Sequence, residues 1–198
     1  MFLLFPICGG EGTVLKRKSG NNTVYEKIMN IRPATEKDLP ALERLIERDG
    51  NFREKNYFER CFDEQRQGKR QIFVMEMTLP GQEIIGYVQI NWFPLYPLFR
   101  RMGMPEIQDL NVAPEHRRRG IGGKLIGHCE KIAKSLGKAD IGISVGLDSS
   151  YGSAQRLYIR QGYMPDGAGV AYDEIPVRFG EMKAVDDQMT LKLTKTLV

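Results

Sequence analysis

The sequence predicts a single-domain α/β protein, and three observations carry that reading. The chain has 198 residues, the size of one domain with its own core. Apolar residues make up 41% and charged residues 27%, a globular balance, and no apolar run approaches the roughly 20 residues of a membrane helix. Along the chain the apolar pattern switches repeatedly between strand alternation and helical spacing, in the order β-α-α-β-β-β-α-β-α-β-β, with no internal repeat.

Residues 1–28 read as an appended, weakly structured extension. Met1 to Ile7 are apolar but carry no leading basic residue and include Pro6, which argues against a secretion signal, and Ser19-Gly20-Asn21-Asn22 is linker chemistry. A first strand or docking segment is the alternative there. From residue 29 to 198 the pattern is that of one domain. Ile31 opens a short strand, and Thr35 with Asp38 forms a capping box ahead of a helix bearing Leu39, Leu42, Leu45 and Ile46, ended by Gly50. A second helix is expected over Glu54 to Gln65, with Tyr57, Phe58 and Cys61 or Phe62 as its apolar stripe.

Gln71 to Met77 and Glu83 to Trp92 follow as strands joined through Pro80-Gly81. The segment from Phe93 to Pro105 reads as a loop, and Ile107 to Val112 as the next strand, stopped by Ala113-Pro114. Beyond Gly120, Ile121, Leu125, Ile126, Cys129, Ile132, Ala133 and Leu136 recur at helical spacing up to a C′ glycine, Gly137. Ile141, Ile143, Val145 and Leu147 then alternate with Gly142, Ser144 and Gly146, so that strand has one bulky and one bare face. The bare face either keeps a cleft open or packs closely against a helix. A short helix around Ala154, Leu157, Tyr158 and Gln161 ends at Gly162, and Met189, Leu191 and Leu193 alternate with Thr190, Lys192 and Thr194 in a terminal strand.

Composition excludes several function classes. Lys and Arg number 29 against 25 Asp and Glu, a mild excess that predicts no nucleic-acid partner, and from Ala139 onward acids outnumber bases eight to six. Cys8, Cys61 and Cys129 form no paired motif and have only His116 and His128 as companions, which points to a reducing cytoplasm and no metal site. His116 reads as an incidental surface residue and Cys129 as core.

The sharpest chemical feature is the stretch Arg117-Arg118-Arg119-Gly120-Ile121-Gly122-Gly123 between a strand and a helix. Glycines let the backbone approach a ligand, the first helical amides are unpaired, and the helix dipole is positive there. Those are the properties of a pyrophosphate cradle. A Walker loop would need glycine where Arg118 stands, and a dinucleotide fingerprint would need it where Leu125 stands. What fits is the Q/R-x-x-G-x-G/A signature, so the chain resembles the GNAT acetyl-CoA-dependent N-acetyltransferases. Ala154-Gln155-Arg156-Leu157-Tyr158, followed by Gly162-Tyr163, is similar to a second pattern of that family. One departure stands at Tyr151, where the family often has a cofactor-contacting Asn.

The resemblance implies a twisted, mixed, mostly antiparallel sheet with flanking helices, and acetyl transfer from acetyl-CoA to a primary amine in a ternary complex without metal. It implies that Leu110 and Val112 hold pantetheine through their backbone, with Arg117, Arg118, Arg119, Gly120, Ile121, Gly122 and Gly123 at the pyrophosphate. By the same resemblance the Leu110 amide faces the thioester oxygen, and Tyr158 protonates the departing sulfur. Glu106 is the implied base, with Asp109 as the alternative; Glu106 also reads simply as a solvated residue, and Tyr158 as a core tyrosine. Asp173, Glu174 and Glu181 wall a pocket for cationic amines or lie in a solvated loop. The partner is a small-molecule or protein amine, with neither nucleic acid nor membrane, and a homodimer stays open. A non-catalytic acyl-CoA-binding module is the rival, and the presence of Tyr158 and a carboxylate argues against it.

Overall fold

The computed structural model describes residues 29–48, 53–78 and 81–197. The extension assigned to residues 1–28, the stop at Gly50 and part of the Pro80-Gly81 turn lie outside these residues. The described elements are β1 (Met29–Pro33), α1 (Leu39–Arg48), α2 (Tyr57–Arg66), β2 (Arg70–Met77), β3 (Glu83–Asn91), α3 (Pro97–Met102), β4 (Glu106–Val112), α4 (Ile121–Ser135), β5 (Asp140–Gly146), α5 (Gly152–Arg160), β6 (Met164–Tyr172), β7 (Ile175–Pro176) and β8 (Met189–Thr196). The strands form one sheet in the order β1-β2-β3-β4-β5-β8-β6-β7. Only β4 and β5 pair in parallel; every other neighbour is antiparallel. The mixed, mostly antiparallel sheet with flanking helices is therefore as expected.

Helices cover both faces, so the central strands are apolar on both sides. On β2, Ile72 and Val74 face Leu42, Leu45 and Ile46 of α1 and Phe58 and Phe62 of α2. Phe73 and Met75, pointing the other way, join Ile90, Ile107, Ile143 and Leu193 and the α4 residues Leu125, Ile126, Cys129 and Ala133. Leu45 is 1% exposed, and replacing it with Ala would cost about 2–5 kcal/mol. The start of α1 is fixed as its residues foretell: the Thr35 amide donates to Asp38 Oδ2 at 2.8 Å, and Arg32 clasps both Asp38 oxygens at 2.8 Å. Gly137, at φ 74°, ends α4 in the left-handed conformation that favours glycine.

One expectation needs correction here. The segment from Phe93 to Pro105 is not all loop, because Pro97 takes the first position of α3 and Gly103, at φ 63°, closes it. Its Phe99 and Tyr96 pack with Met104 and Ala171 as a separate cluster. Beyond α5 the chain continues into β6 and β7 ahead of β8, one strand more than the two the sequence order gives after the last helix. Between Pro165 and Val170 the pairing with β8 breaks and resumes, and Gly167 and Gly169 take positive φ there. No helix among the described residues is long and apolar enough to cross a membrane.

Candidate active site

Strands β4 and β5 share only two register pairs, Glu106 with Gly142 and Ile107 with Ile143, and then part. The split is opened by a bulge in β4. Tyr87 of β3 faces Asn111 and Gln89 faces Gln108, so Asp109 and Leu110 together oppose Val88. Asp109 accordingly sits at φ 53°, a conformation uncommon for a residue with a side chain. Beyond the bulge the Ala113 amide donates to the Ile85 carbonyl at 2.9 Å, so Val112, between the β3-bonded residues, presents its backbone groups to the split side.

Past the split the chain turns into α4. Arg118 takes φ 59°, and Gly120, at φ 79°, precedes the first helical residue, Ile121. Arg117, Arg118 and Arg119 are all exposed beside the helix N-terminus, and Arg117 Nε donates to the Val112 carbonyl at 2.9 Å. A Cβ at Gly122 would lie 3.1 Å from Leu157 Cδ2, and one at Gly123 would lie 3.1 Å from Gln161 Nε2. Both glycines thus let α4 approach α5 closely, a packing role that ligand chemistry alone had not foretold. Gly120, by contrast, has nothing within 4 Å of an added Cβ, so the backbone ahead of α4 is open there.

Glu106 is fully buried at the foot of the split, which removes the solvated reading. Its Oε1 accepts a short hydrogen bond from Ser144 Oγ and faces Lys192 Nζ at 3.6 Å, while Oε2 accepts from Gln108 Nε2 at 2.7 Å. Burial pushes its carboxyl above the ordinary range, and Lys192 opposes that rise. Asp109 has a different setting. It receives Arg53 Nη2 at 2.6 Å, the Tyr57 hydroxyl at 2.8 Å and Gln89 Nε2 at 3.0 Å.

Tyr158 is 6% exposed on α5, among Tyr163, Val145 and Leu125 of the core. Burial raises its hydroxyl above the ordinary phenol range. Tyr151 lays its ring against Gly146, where a Cβ would come within 2.4 Å, and its hydroxyl donates to Asp187 at 2.9 Å. Gly142 is filled likewise by the Phe99 ring. The bare face of β5 is thus packed and does not open the cleft.

Two of the three acids expected to attract cationic amines, Glu174 and Glu181, are already engaged. Glu174 pairs with Lys192 at 2.6 Å, and Glu181 pairs with Lys183 at 2.9 Å. His116 is 8% exposed, buried in the turn after β4 and not on the surface as expected. It groups with Glu83 and Glu115, whose carboxylates Arg48 bridges at 3.3 and 3.1 Å. A groove of about 950 Å³ between α1 and the β2–β3 hairpin, lined by Arg32, Asp38, Arg44 and Glu83 among others, shares no residue with the split.

Comparison with known proteins gives the family in which this sheet split and its Arg- and Gly-rich helix start occur. The acetyltransferase (GNAT) family model matches residues 39–163, more than half of the chain, and the protein belongs to that family. It is an acyltransferase. No curated protein matches it in sequence. Among solved structures, a protein from Desulfovibrio desulfuricans assigned to the GNAT family aligns at 15% identity and TM-score 0.65, covering 86% of this chain and 99% of that one. A GNAT-family acetyltransferase from Elizabethkingia anophelis, solved with acetyl-CoA bound, aligns at 18% identity and TM-score 0.59, covering 85% and 98%. The ribosomal-protein-alanine N-acetyltransferase from Brucella melitensis aligns at 22% identity and TM-score 0.60, covering 85% and 99%. At these identities the shared property is the fold.

Proposed function

We propose that this protein moves the acetyl group of acetyl-CoA to a primary amine by direct attack within a ternary complex, and that residues 29–198 form the transferase domain. The observation that carries the reading is the β4–β5 split, opened at the Asp109 bulge and running into the Arg117–Gly123 turn. Leu110 and Val112 turn backbone groups into the split, where an amide-bearing pantetheine arm pairs as an added strand. The arginines and the amides of α4 take the pyrophosphate.

Attack on a thioester needs a neutral amine, a stabilised oxyanion and a proton for the thiolate. Glu106 is the better base of the two carboxylates. Burial lifts its proton affinity, whereas Asp109 is committed to Arg53, Tyr57 and Gln89 and serves to hold the bulge. The bulge aims the Leu110 amide at the developing oxyanion, where deleting such a donor costs about 2.7–4 kcal/mol in other enzymes. Tyr158, on α5 and 6% exposed, supplies the proton. The buried free thiols of Cys61 and Cys129 fit a reducing, cytoplasmic setting. The test is CoA release from acetyl-CoA by the full chain against a panel of polyamines, arylalkylamines and peptides with free N-termini. Amine-dependent release supports the reading, and acetyl-CoA binding without release for any amine would refute the transfer.

A further inference from the structure

Terminal strand β8 places a lysine where the sheet has no solvent. Lys192 is 0% exposed, although it alternates with Leu191 and Leu193 as a surface residue would. Its Nζ donates to Ser144 Oγ at 2.8 Å and to Glu174 Oε2 at 2.6 Å, lies 3.6 Å from Glu106 Oε1, and stands 5.2 Å from the centre of the Tyr96 ring. Three neighbouring strands thus contribute Glu106, Ser144 and Lys192 to one row, and the β6–β7 turn adds Glu174 at its outer end. Asp173 and Glu174 take φ 48° and 64°, the backbone of a two-residue hairpin turn between Tyr172 and Ile175. From that turn the Glu174 side chain reaches back to Lys192.

We propose that Lys192 is a positioning residue for Glu106, the counter-charge that keeps a fully buried carboxylate ionised, and that Glu174 sets how much of that charge Glu106 feels. The inference deepens the reading of Glu106 as the base and rests on it for its catalytic meaning, though its electrostatics stand alone. A carboxylate removed from water without a partner neutralises, and a neutral Glu106 cannot accept a proton from the amine. Lys192 opposes that, and Glu174, as a second anion on the same ammonium, weakens the opposition. The other groups facing this row are uncharged or spoken for. Gln108 donates to Glu106 from β4, Asn91 is its register partner on β3, and Arg70 of β2 bonds Gln108 at 3.1 Å and Glu64 at 2.5 Å. Tyr96 donates its hydroxyl to Asp166 of β6 at 2.8 Å.

Removing either charge therefore moves Glu106 in opposite directions. The measurement is a carbon-13 NMR titration of the full chain labelled at glutamate Cδ, with the Glu106 signal assigned by its loss in Glu106→Gln. Lys192→Met moves the Glu106 midpoint up by about 1–3 pH units, the effect of an opposite charge at this range. Glu174→Gln moves it down. A general loosening of the core would move both the same way, and that result, or two unmoved midpoints, overturns the proposal. Should Lys192→Met fail to fold, Glu174→Gln at the half-exposed end still decides: a downward shift supports the proposal, and no shift or an upward one overturns it. None of these readings requires an acceptor, so they fail independently of the role of Glu106 in transfer.

Discussion

Gly142 offers a sharp test of how the floor of the site is built. A Cβ added there would lie 2.3, 2.6 and 2.7 Å from three atoms of the Phe99 ring, well inside van der Waals contact. The ring has nowhere to swing: Phe99 is 0% exposed, and Tyr96 meets it edge-on with centroids 4.9 Å apart. Gly142→Ala must therefore displace α3 or spread β4 from β5, and overpacking of this kind costs about 1–3 kcal/mol. At this chain length each kcal/mol is worth about 2–4 °C, so the expected fall in Tm is about 2–12 °C. Gly127→Ala is the control. Gly127 lies within α4 with nothing inside 4 Å of a new Cβ, so alanine there gains helix propensity of about 1 kcal/mol and raises Tm. Calorimetric scans of the two full-length variants should move to opposite sides of the parent. Combining Gly142→Ala with Phe99→Leu should recover part of the loss, as expected for residues in contact. A Gly142→Ala protein melting at or above the parent temperature would refute the packing argument.

Other expectations follow from the same geometry. Tyr158→Phe should lower single-turnover acetyl transfer by about 10²-fold or more while leaving acetyl-CoA affinity in place, and an unchanged chemical step would remove the acid assignment. Arg32 holds the Asp38 carboxyl below its ordinary value of 3.8, so Asp38 stabilises the fold above that pH and its contribution disappears as pH falls through the lowered folded value. Denaturant unfolding should show Asp38→Asn less stable than the parent near neutrality, with the gap closing below about pH 4; a gap that widens in acid contradicts the linkage.

Local chemistry was readable wherever it is written in consecutive residues. The capping box at Thr35 and Asp38 and the C′ glycine at Gly137 each depend on neighbours in sequence, and each folds as its residues foretell. Helix α3 escaped notice because six residues between prolines carry too little periodicity, although Pro97 and Gly103 are its start and stop signals. Pro165, Gly167 and Gly169 mark a break in the pairing of β6 with β8, a feature that depends on the register between two strands and not on local residues. Lys192 shows the deeper limit. Alternation on β8 marks a polar face without saying what covers it, and the cover comes from Tyr96 and Glu174, 96 and 18 positions away. The cage around Asp109 is equally long-range: Tyr57, read as part of an apolar stripe, spends its hydroxyl there.

Calorimetric titration of acetyl-CoA into the full chain, with 3′-dephospho-CoA alongside and Gly122→Trp as the variant, tests the central claim most directly. The account predicts micromolar binding by the parent and none by Gly122→Trp, whose melting curve shows it still folded. Absence of binding by the parent, or parent-like affinity in a folded Gly122→Trp protein, would contradict the placement of the cofactor in the β4–β5 split and its Arg- and Gly-rich turn.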